Sequence, residues 1–371
     1  MSRQIFVATR KGLFTITKQS GHWAIRNAAF LGDNLSLVSF DPGDGTLYAA
    51  FNHGHFGCKL QRSDDDGKTW QEIPAPVYPA DIVESPPMID DFRKVSIPWS
   101  VQLIWALEPG GADQKGTLWL GTIPGGLFRS ENRGESWELN RPLLEKQRES
   151  KWTGGGYDYP GLHSICVDPR DSNCVTVAVS TGGVWQTRDG GQSWHVSSHG
   201  MRADFLPPDQ AYNPVMQDAH CMVQCAANPD HFWVQHHNGV FRSVDHAQSW
   251  QEVTHVQPSV FGFAIAVHPG NSNIAWTVPA VKDEKRYPVD GNVVVARTKD
   301  GGKSFEVLTH GLPQGHAYDL TYRHSLAIDS TGDLLAFGST TGSLWVSEDQ
   351  GTTWQNVSSH LPPIHCVRFD R

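Results

Sequence analysis

Ser63-Asp64-Asp65-Asp66-Gly67-Lys68-Thr69-Trp70 returns as Thr187-Arg188-Asp189-Gly190-Gly191-Gln192-Ser193-Trp194, as Thr298-Lys299-Asp300-Gly301-Gly302-Lys303-Ser304-Phe305 and as Ser347-Glu348-Asp349-Gln350-Gly351-Thr352-Thr353-Trp354. The shared pattern is Ser/Thr-x-Asp-x-Gly-x-Ser/Thr-aromatic. Two worn copies extend it: Ser130 to Trp137 has Asn132 in the Asp position, and Ser243 to Trp250 has Ala247 in the Gly position. A carboxylate can accept backbone N–H groups across its own turn, and glycine supplies a positive φ, so each copy predicts a clipped turn. The closing Trp or Phe starts the next strand and offers a large apolar side chain to a neighbouring sheet. The copies recur roughly every 50 to 67 residues, the length of one four-stranded blade with its loops.

Strand-like runs ending in a turn signal precede or follow each copy. They are Ser36 to Phe40, Leu103 to Leu107, His163 to Val167, His220 to Cys225, Phe263 to Val267, His324 to Ile328 and His365 to Phe369. Seven inner strands predict an all-β, seven-bladed β-propeller, a single domain over residues 1–371. The last inner strand lacks outer partners, and 4–27 offers three short strands without an inner one. Segments 4–27 and 362–371 are therefore expected to complete one blade and close the ring, which removes exposed sheet edges.

Composition agrees with this reading and narrows the function. The chain of 371 residues has 36 glycines, 23 prolines and 14 tryptophans, with 39% hydrophobic and 19% charged residues. Many short strands, tight turns and aromatic anchors give such a profile. A net charge of -9 supplies no basic stripe, so nucleic acid is not an expected partner. No apolar run is long enough for a membrane span and no signal-peptide pattern opens the chain, so a cytoplasmic protein without membrane contact is expected. The six cysteines are scattered and read as free thiols.

The eight-residue copies match the Asp box, or BNR repeat, shared by sialidases, sortilin-type receptors, xyloglucan hydrolases and photosystem assembly factors. Ala8-Thr9-Arg10-Lys11-Gly12-Leu13-Phe14, Asn52-His53-Gly54-His55-Phe56-Gly57, Gly161-Leu162-His163-Ser164-Ile165 and His236 to Ser243 resemble a bacterial family of stand-alone BNR propellers labelled exo-α-sialidase or glycosyl hydrolase. The resemblance implies a propeller whose active face lies opposite the Asp-box turns. A sialidase activity would need an arginine triad, and Arg10, Arg202 and Arg323 stand on loops of that face. The Arg-Ile-Pro motif of sialidases is absent, and sialidase propellers have six blades, so a classical sialidase is not expected.

The same face carries four long insertions, Pro74 to Trp99, Asn140 to Gly161, Ser197 to Asp218 and Thr309 to Arg323. Their aromatic, Asp and Arg side chains suit a sugar or an anionic small molecule. Asp158, Asp204, Asp218 and Asp319 are candidate carboxylates for an inverting glycosidase. Histidine is the sharper signal. His163, His220, His324 and His365 each open an inner strand, and His53, His55, His236 and His237 fall in segments that approach the same channel mouth. Neutral imidazoles that converge can bind a divalent ion, zinc, manganese or iron, or transfer protons near neutral pH.

The expectations are therefore these. His163, His220, Asp158 and Arg323 carry catalysis; Arg10, Arg202, Tyr157, His53 and His55 bind substrate; and His163, His220 and His237 hold the metal, with His236 facing the other way. The protein is expected to be a small-molecule or glycan-binding propeller with hydrolase or lyase chemistry, the alternative being a non-enzymatic scaffold for a protein partner.

Overall fold

The computed structural model describes residues 4–82, 99–154 and 157–370, so residues 83–98 of the first long insertion lie outside it. Seven four-stranded antiparallel sheets are arranged as blades around a channel. Their innermost strands are Leu35–Asp41, Leu103–Pro109, Gly161–Val167, Ala219–Gln224, Gly262–His268, Leu326–Ile328 and Ile364–Phe369, which define blades one to seven. In the seventh, Ile364–Phe369 pairs with Gln4–Thr9, followed outward by Gly12–Gln19 and His22–Ala29. The expected ring closure is present.

The sequence forms these sheets because its strands alternate or run fully apolar between turn residues. Trp119, Trp233, Trp276 and Trp345 are completely or almost completely buried between blades. Burying such rings is worth roughly 2–3 kcal/mol each and sets the spacing of neighbouring sheets.

The eight-residue turns close as their chemistry requires. Asp300 accepts the Ser304 backbone N–H at 3.0 Å and the Ser304 hydroxyl at 2.6 Å, while the Thr298 hydroxyl accepts from the Gly302 N–H at 2.9 Å. Asn132 reproduces the arrangement, taking the Ser136 N–H on Oδ1 and donating Nδ2–H to the Ser136 hydroxyl, both at 2.9 Å. Ala247 keeps the left-handed backbone of the glycine it replaces, with φ 60°. All these turns lie at the end where inner strands finish, so the opposite face carries the long insertions.

Candidate functional site at the channel mouth

Period-two alternation fails near the start of the inner strands, and that failure builds the site. Strand pairing skips a residue between Leu35 and Leu37, Ile104 and Ala106, Leu162 and Ser164, and Ala219 and Cys221. It shifts likewise between Gly262 and Ile265 and opposite Ile364 and Cys366. The residues left out of register are Ser36, Trp105, His163, His220, Phe263 with Ala264, and His365. A bulge re-aims its side chain, here towards the channel. In the sixth blade the single turn of 3-10 helix Arg323–Ser325 occupies this place.

Ser36, Trp105, His220, Phe263, Arg323, His324 and His365 line one cavity of about 1150 Å³. Tyr157, Phe205, Asp218, His237, Arg286 and Tyr322 complete much of its wall.

Ring nitrogens of three bulged histidines tie each blade to the next. His163 Nε2 lies 2.6 Å from the Ala219 carbonyl, His220 Nδ1 2.7 Å from that of Gly262, and His365 Nδ1 2.8 Å from that of Leu35. A carbonyl only accepts, so each of these nitrogens carries the proton. His324 reaches further, placing Nε2 2.8 Å from the His163 carbonyl on the far side of the channel.

These bonds decide which imidazoles are available. His163 has its Nδ1 2.9 Å from the Ser164 hydroxyl as well, so both its nitrogens are engaged. Its ring packs edge-on against Trp105. His163, expected among the metal ligands, therefore has neither ring nitrogen free, and the donor atoms that converge belong to Asp218, His220 and His237. With Nδ1–H of His220 committed to Gly262, its Nε2 lone pair faces Asp218 Oδ2 at 3.8 Å. His237 Nδ1 lies 3.4 Å from the same oxygen. Ligand atoms of Asp218, His220 and His237 fall within 4.8 Å of one another. His236 is wholly buried behind them, accepting the Asp218 backbone N–H on Nε2 at 3.1 Å, which positions the carboxylate from below.

Burial alone would raise the Asp218 carboxyl, but the His237 hydrogen bond and the nearby imidazole and Arg323 charges hold it well below the usual range. The Asp218 bond raises His237. Burial drives His220 down to about 3, so its ring is neutral at pH 7. An anionic carboxylate beside a neutral imidazole lone pair is a donor set suited to a divalent ion.

Arg323 is 9% exposed, with its guanidinium 4.6 Å from the Trp105 ring centroid and 5.5 Å from that of Phe263. Its Nε has no hydrogen-bond partner among the described residues, and neither has Asp218 Oδ1. Tyr157 lies edge-on to Trp105 at the rim.

The remaining candidates stay outside the cavity wall. Arg10, His55 and Asp158 are exposed, and His53 turns to Asp33 at 3.6 Å. Arg202 is paired with Glu252 and Asp204, so Arg10, Arg202 and Arg323 do not come together as a triad. Asp319 is taken up by the Ser339 and Thr341 hydroxyls. The structure adds Trp105, Phe263, Arg286 and Tyr322, which sequence reasoning did not single out as ligand contacts. Asp218 is among the carboxylates expected from the third insertion, but its meeting with His220 depends on the register shift between Ala219 and Cys221, which the local pattern does not reveal.

No family model matches the chain. Among curated proteins, an oligoxyloglucan-reducing-end-specific xyloglucanase of Emericella nidulans is 31% identical over 90 residues, which is 24% of this chain and 10% of that protein. An ancestral GH74 enzyme of solved structure superposes with a TM-score of 0.60 at 16% identity, over 91% of this chain and 38% of its own. YCF48 bound to a D1 peptide gives 0.52 at 12% identity, covering 89% and 84%. A protein of unknown function from Desulfotomaculum acetoxidans gives 0.60 at 10% identity, covering 99% of both chains. Thus the chain spans about a tenth of the matched xyloglucanase and well under half of the GH74 enzyme. At such identities the structural likeness shows the fold: a seven-bladed β-propeller.

Proposed function

We propose that the channel mouth binds an anionic sugar or comparable small molecule and that a divalent ion held by Asp218, His220 and His237 assists its hydrolysis or elimination. One observation carries this reading. Asp218 and Arg323 line the same cavity, and each carries a buried polar atom, Asp218 Oδ1 and Arg323 Nε, without a hydrogen-bond partner among the described residues. Leaving such groups unpaired costs about 1–3 kcal/mol each or more, and a cation beside the carboxylate and an anion beside the guanidinium offset that cost. The ion would supply Lewis acidity or an activated water. Arg323 binds the anionic group, the exposed Tyr157 offers a face for a sugar ring, and the neutral His220 holds its lone pair towards the ion. The Asp-box repeats and the GH74 likeness are in keeping with a glycan ligand.

The test is metal and ligand binding on one set of variants. Protein equilibrated with zinc or manganese should retain an ion at this site that Asp218→Asn loses. Acidic monosaccharides should quench tryptophan fluorescence, and Arg323→Gln should weaken that response at least tenfold. Equal binding of neutral and acidic sugars, unchanged in Arg323→Gln, would sink the proposal.

A second reading is a docking platform for a protein partner. Exposed aromatics on the same face favour it: Tyr157 at 52%, Tyr212 at 62% and Tyr318 at 59%. A platform of this kind would bind peptide without needing Asp218 or Arg323.

A further inference from the structure

The opposite face carries a second donor cluster, at the junction of blades three and four. Asp168 follows the inner strand Gly161–Val167, Cys174 precedes the strand Val175–Ser180, and His246 belongs to the eight-residue turn Ser243 to Trp250. Cys174 Sγ lies 3.2 Å from His246 Nε2. On the other edge of the ring, His246 Nδ1 is 3.2 Å from Asp230 Oδ1 and 3.4 Å from Asp168 Oδ2. Ligand atoms of Asp168, Cys174 and His246 are within 4.8 Å of one another and open onto a concave pocket of about 480 Å³.

Comparison with an equivalent junction shows what is special here. Arg133, at the same place in the turn of blade two, reaches back to Asp44 and Asp64 of blade one and forms a plain ion pair. At the blade three to four junction the reaching residue is an imidazole and it meets a thiol. His246 and Ala247 hold successive left-handed φ values of 61° and 60°, a conformation in which the other five turns use glycine at the second position. The left-handed φ of His246 is shared by Asp66, Arg133 and Gln350 at the same position of their turns, so what is particular here is the imidazole itself and the thiol it meets.

The geometry points to a site for a thiophilic divalent ion, zinc being the representative, held by Cys174 Sγ, His246 Nε2 and an Asp168 oxygen. Tetrahedral zinc bond lengths put sulfur and nitrogen roughly 3.5 Å apart, so the 3.2 Å between Cys174 Sγ and His246 Nε2 has to widen by a few tenths of an ångström to admit the ion. His246 Nδ1 lies 3.2 Å from Asp230 Oδ1 and 3.1 Å from Arg170 Nη2; the tautomer that donates Nδ1–H to Asp230 is the one that turns the Nε2 lone pair to the ion. Arg170 orients the carboxylates, donating Nε–H to Asp168 Oδ1 at 3.0 Å and Nη2–H to Asp168 Oδ2 and Asp230 Oδ1 at 2.8 and 2.7 Å. Such outer hydrogen bonds accompany built metal sites. Charge agrees: Asp168, Asp171, Asp230 and Asp245 line the pocket against Arg170 and Arg188, leaving an excess of negative charge for a dication. Three donors leave positions for water or a ligand from the pocket. A mixed thiolate, imidazole and carboxylate set selects zinc or cobalt over magnesium and calcium.

Cobalt(II) is the discriminating probe because the channel-mouth cluster contains no sulfur. Cobalt added to the intact protein should produce a thiolate-to-metal charge-transfer absorption in the near ultraviolet, which stoichiometric zinc removes. Cys174→Ser should lose the band, His246→Gln should weaken cobalt binding at least tenfold, and Asp218→Asn should leave the band unchanged. If Cys174→Ser does not fold, as judged by circular dichroism, His246→Gln carries the test. Cobalt binding without a charge-transfer band, or a band that survives both Cys174→Ser and His246→Gln, would overturn the assignment. Because Asp218→Asn reports on the other face, failure here and failure of the channel-mouth reading are separable.

Discussion

His324 of the sixth blade donates its Nε2 proton to the backbone carbonyl of His163 in the third, at 2.8 Å, so one imidazole spans a channel that six inner strands otherwise only line. The same short turn holds Arg323 between Trp105 and Phe263. Cys221 Sγ, from blade four, also reaches the Arg323 carbonyl at 3.7 Å. The turn is thereby braced from two sides, and the orientation of Arg323 depends on it.

His324→Ala should therefore act on ligand binding as well as stability. Loss of the bond and of a buried ring should cost about 2–3 kcal/mol, with affinity for an acidic sugar falling about tenfold while metal retention is unchanged. Chemical denaturation and fluorescence titration on one preparation would check both. A stability loss with unaltered affinity would show that Arg323 does not rely on the turn.

His163 and Asp218 should separate cleanly. His163→Ala strands the Ala219 carbonyl and should lower stability by about 1–3 kcal/mol, yet leave metal binding at the channel mouth intact. Asp218→Asn should do the reverse, removing the ion. Metal content set against melting temperature for the two variants decides the matter.

Acid should destabilise the protein well above the carboxylate range. Burial lowers His220 and His324 to about 3 and His236 to about 4. A group whose folded value lies below its unfolded value of about 6.5 contributes fully above that value and loses its contribution as pH falls. Each of the three should cost about 2 kcal/mol at pH 5 relative to pH 8. His237, raised by Asp218, works in the opposite sense and offsets part of this. Urea midpoints measured from pH 8 to pH 5 should fall steadily, and a flat profile would contradict the burial of these rings as neutral groups.

Asp189 accepts three bonds in its turn, from the Ser193 N–H at 2.9 Å, the Ser193 hydroxyl at 2.6 Å and the Thr187 hydroxyl at 2.7 Å. Asn132 already meets the same geometry with an amide. Asp189→Asn should therefore change stability by less than about 0.5 kcal/mol, whereas Asp189→Ala should cost about 1–2 kcal/mol. Similar melting temperatures for the two variants would argue against the clip.

Blade number and ring closure could be read from the chain because the turn that repeats is chemically conspicuous and because His365 to Phe369 had no outer strands of its own. That His220, His324 and His365 would meet at one mouth was also legible, since each sits where an inner strand opens. What escaped notice is tertiary. The bulges at Trp105 and Phe263 leave no mark in a local pattern, and only folding separates His163, whose two nitrogens go to the Ala219 carbonyl and the Ser164 hydroxyl, from His220, which commits Nδ1 alone and leaves Nε2 towards Asp218. Arg10 and Arg202 stood on suitable loops, but loop position does not say whether an arginine has a carboxylate neighbour. His246 was read as part of a worn turn, and nothing near it in sequence reveals Cys174.

The seventh blade joins the two extremes of the sequence, with Val7 opposite Val367. During synthesis the strand Gln4–Thr9 therefore emerges hundreds of residues before the partner that covers its inner edge. Until then a nascent chain carries folded sheets with an unpaired strand at the start, a surface prone to pairing with the wrong chain. However the other blades form, the closing one must wait for Ile364–Phe369 to be made, so the inner edge of Gln4–Thr9 stays open for the time that most of the sequence takes to synthesise.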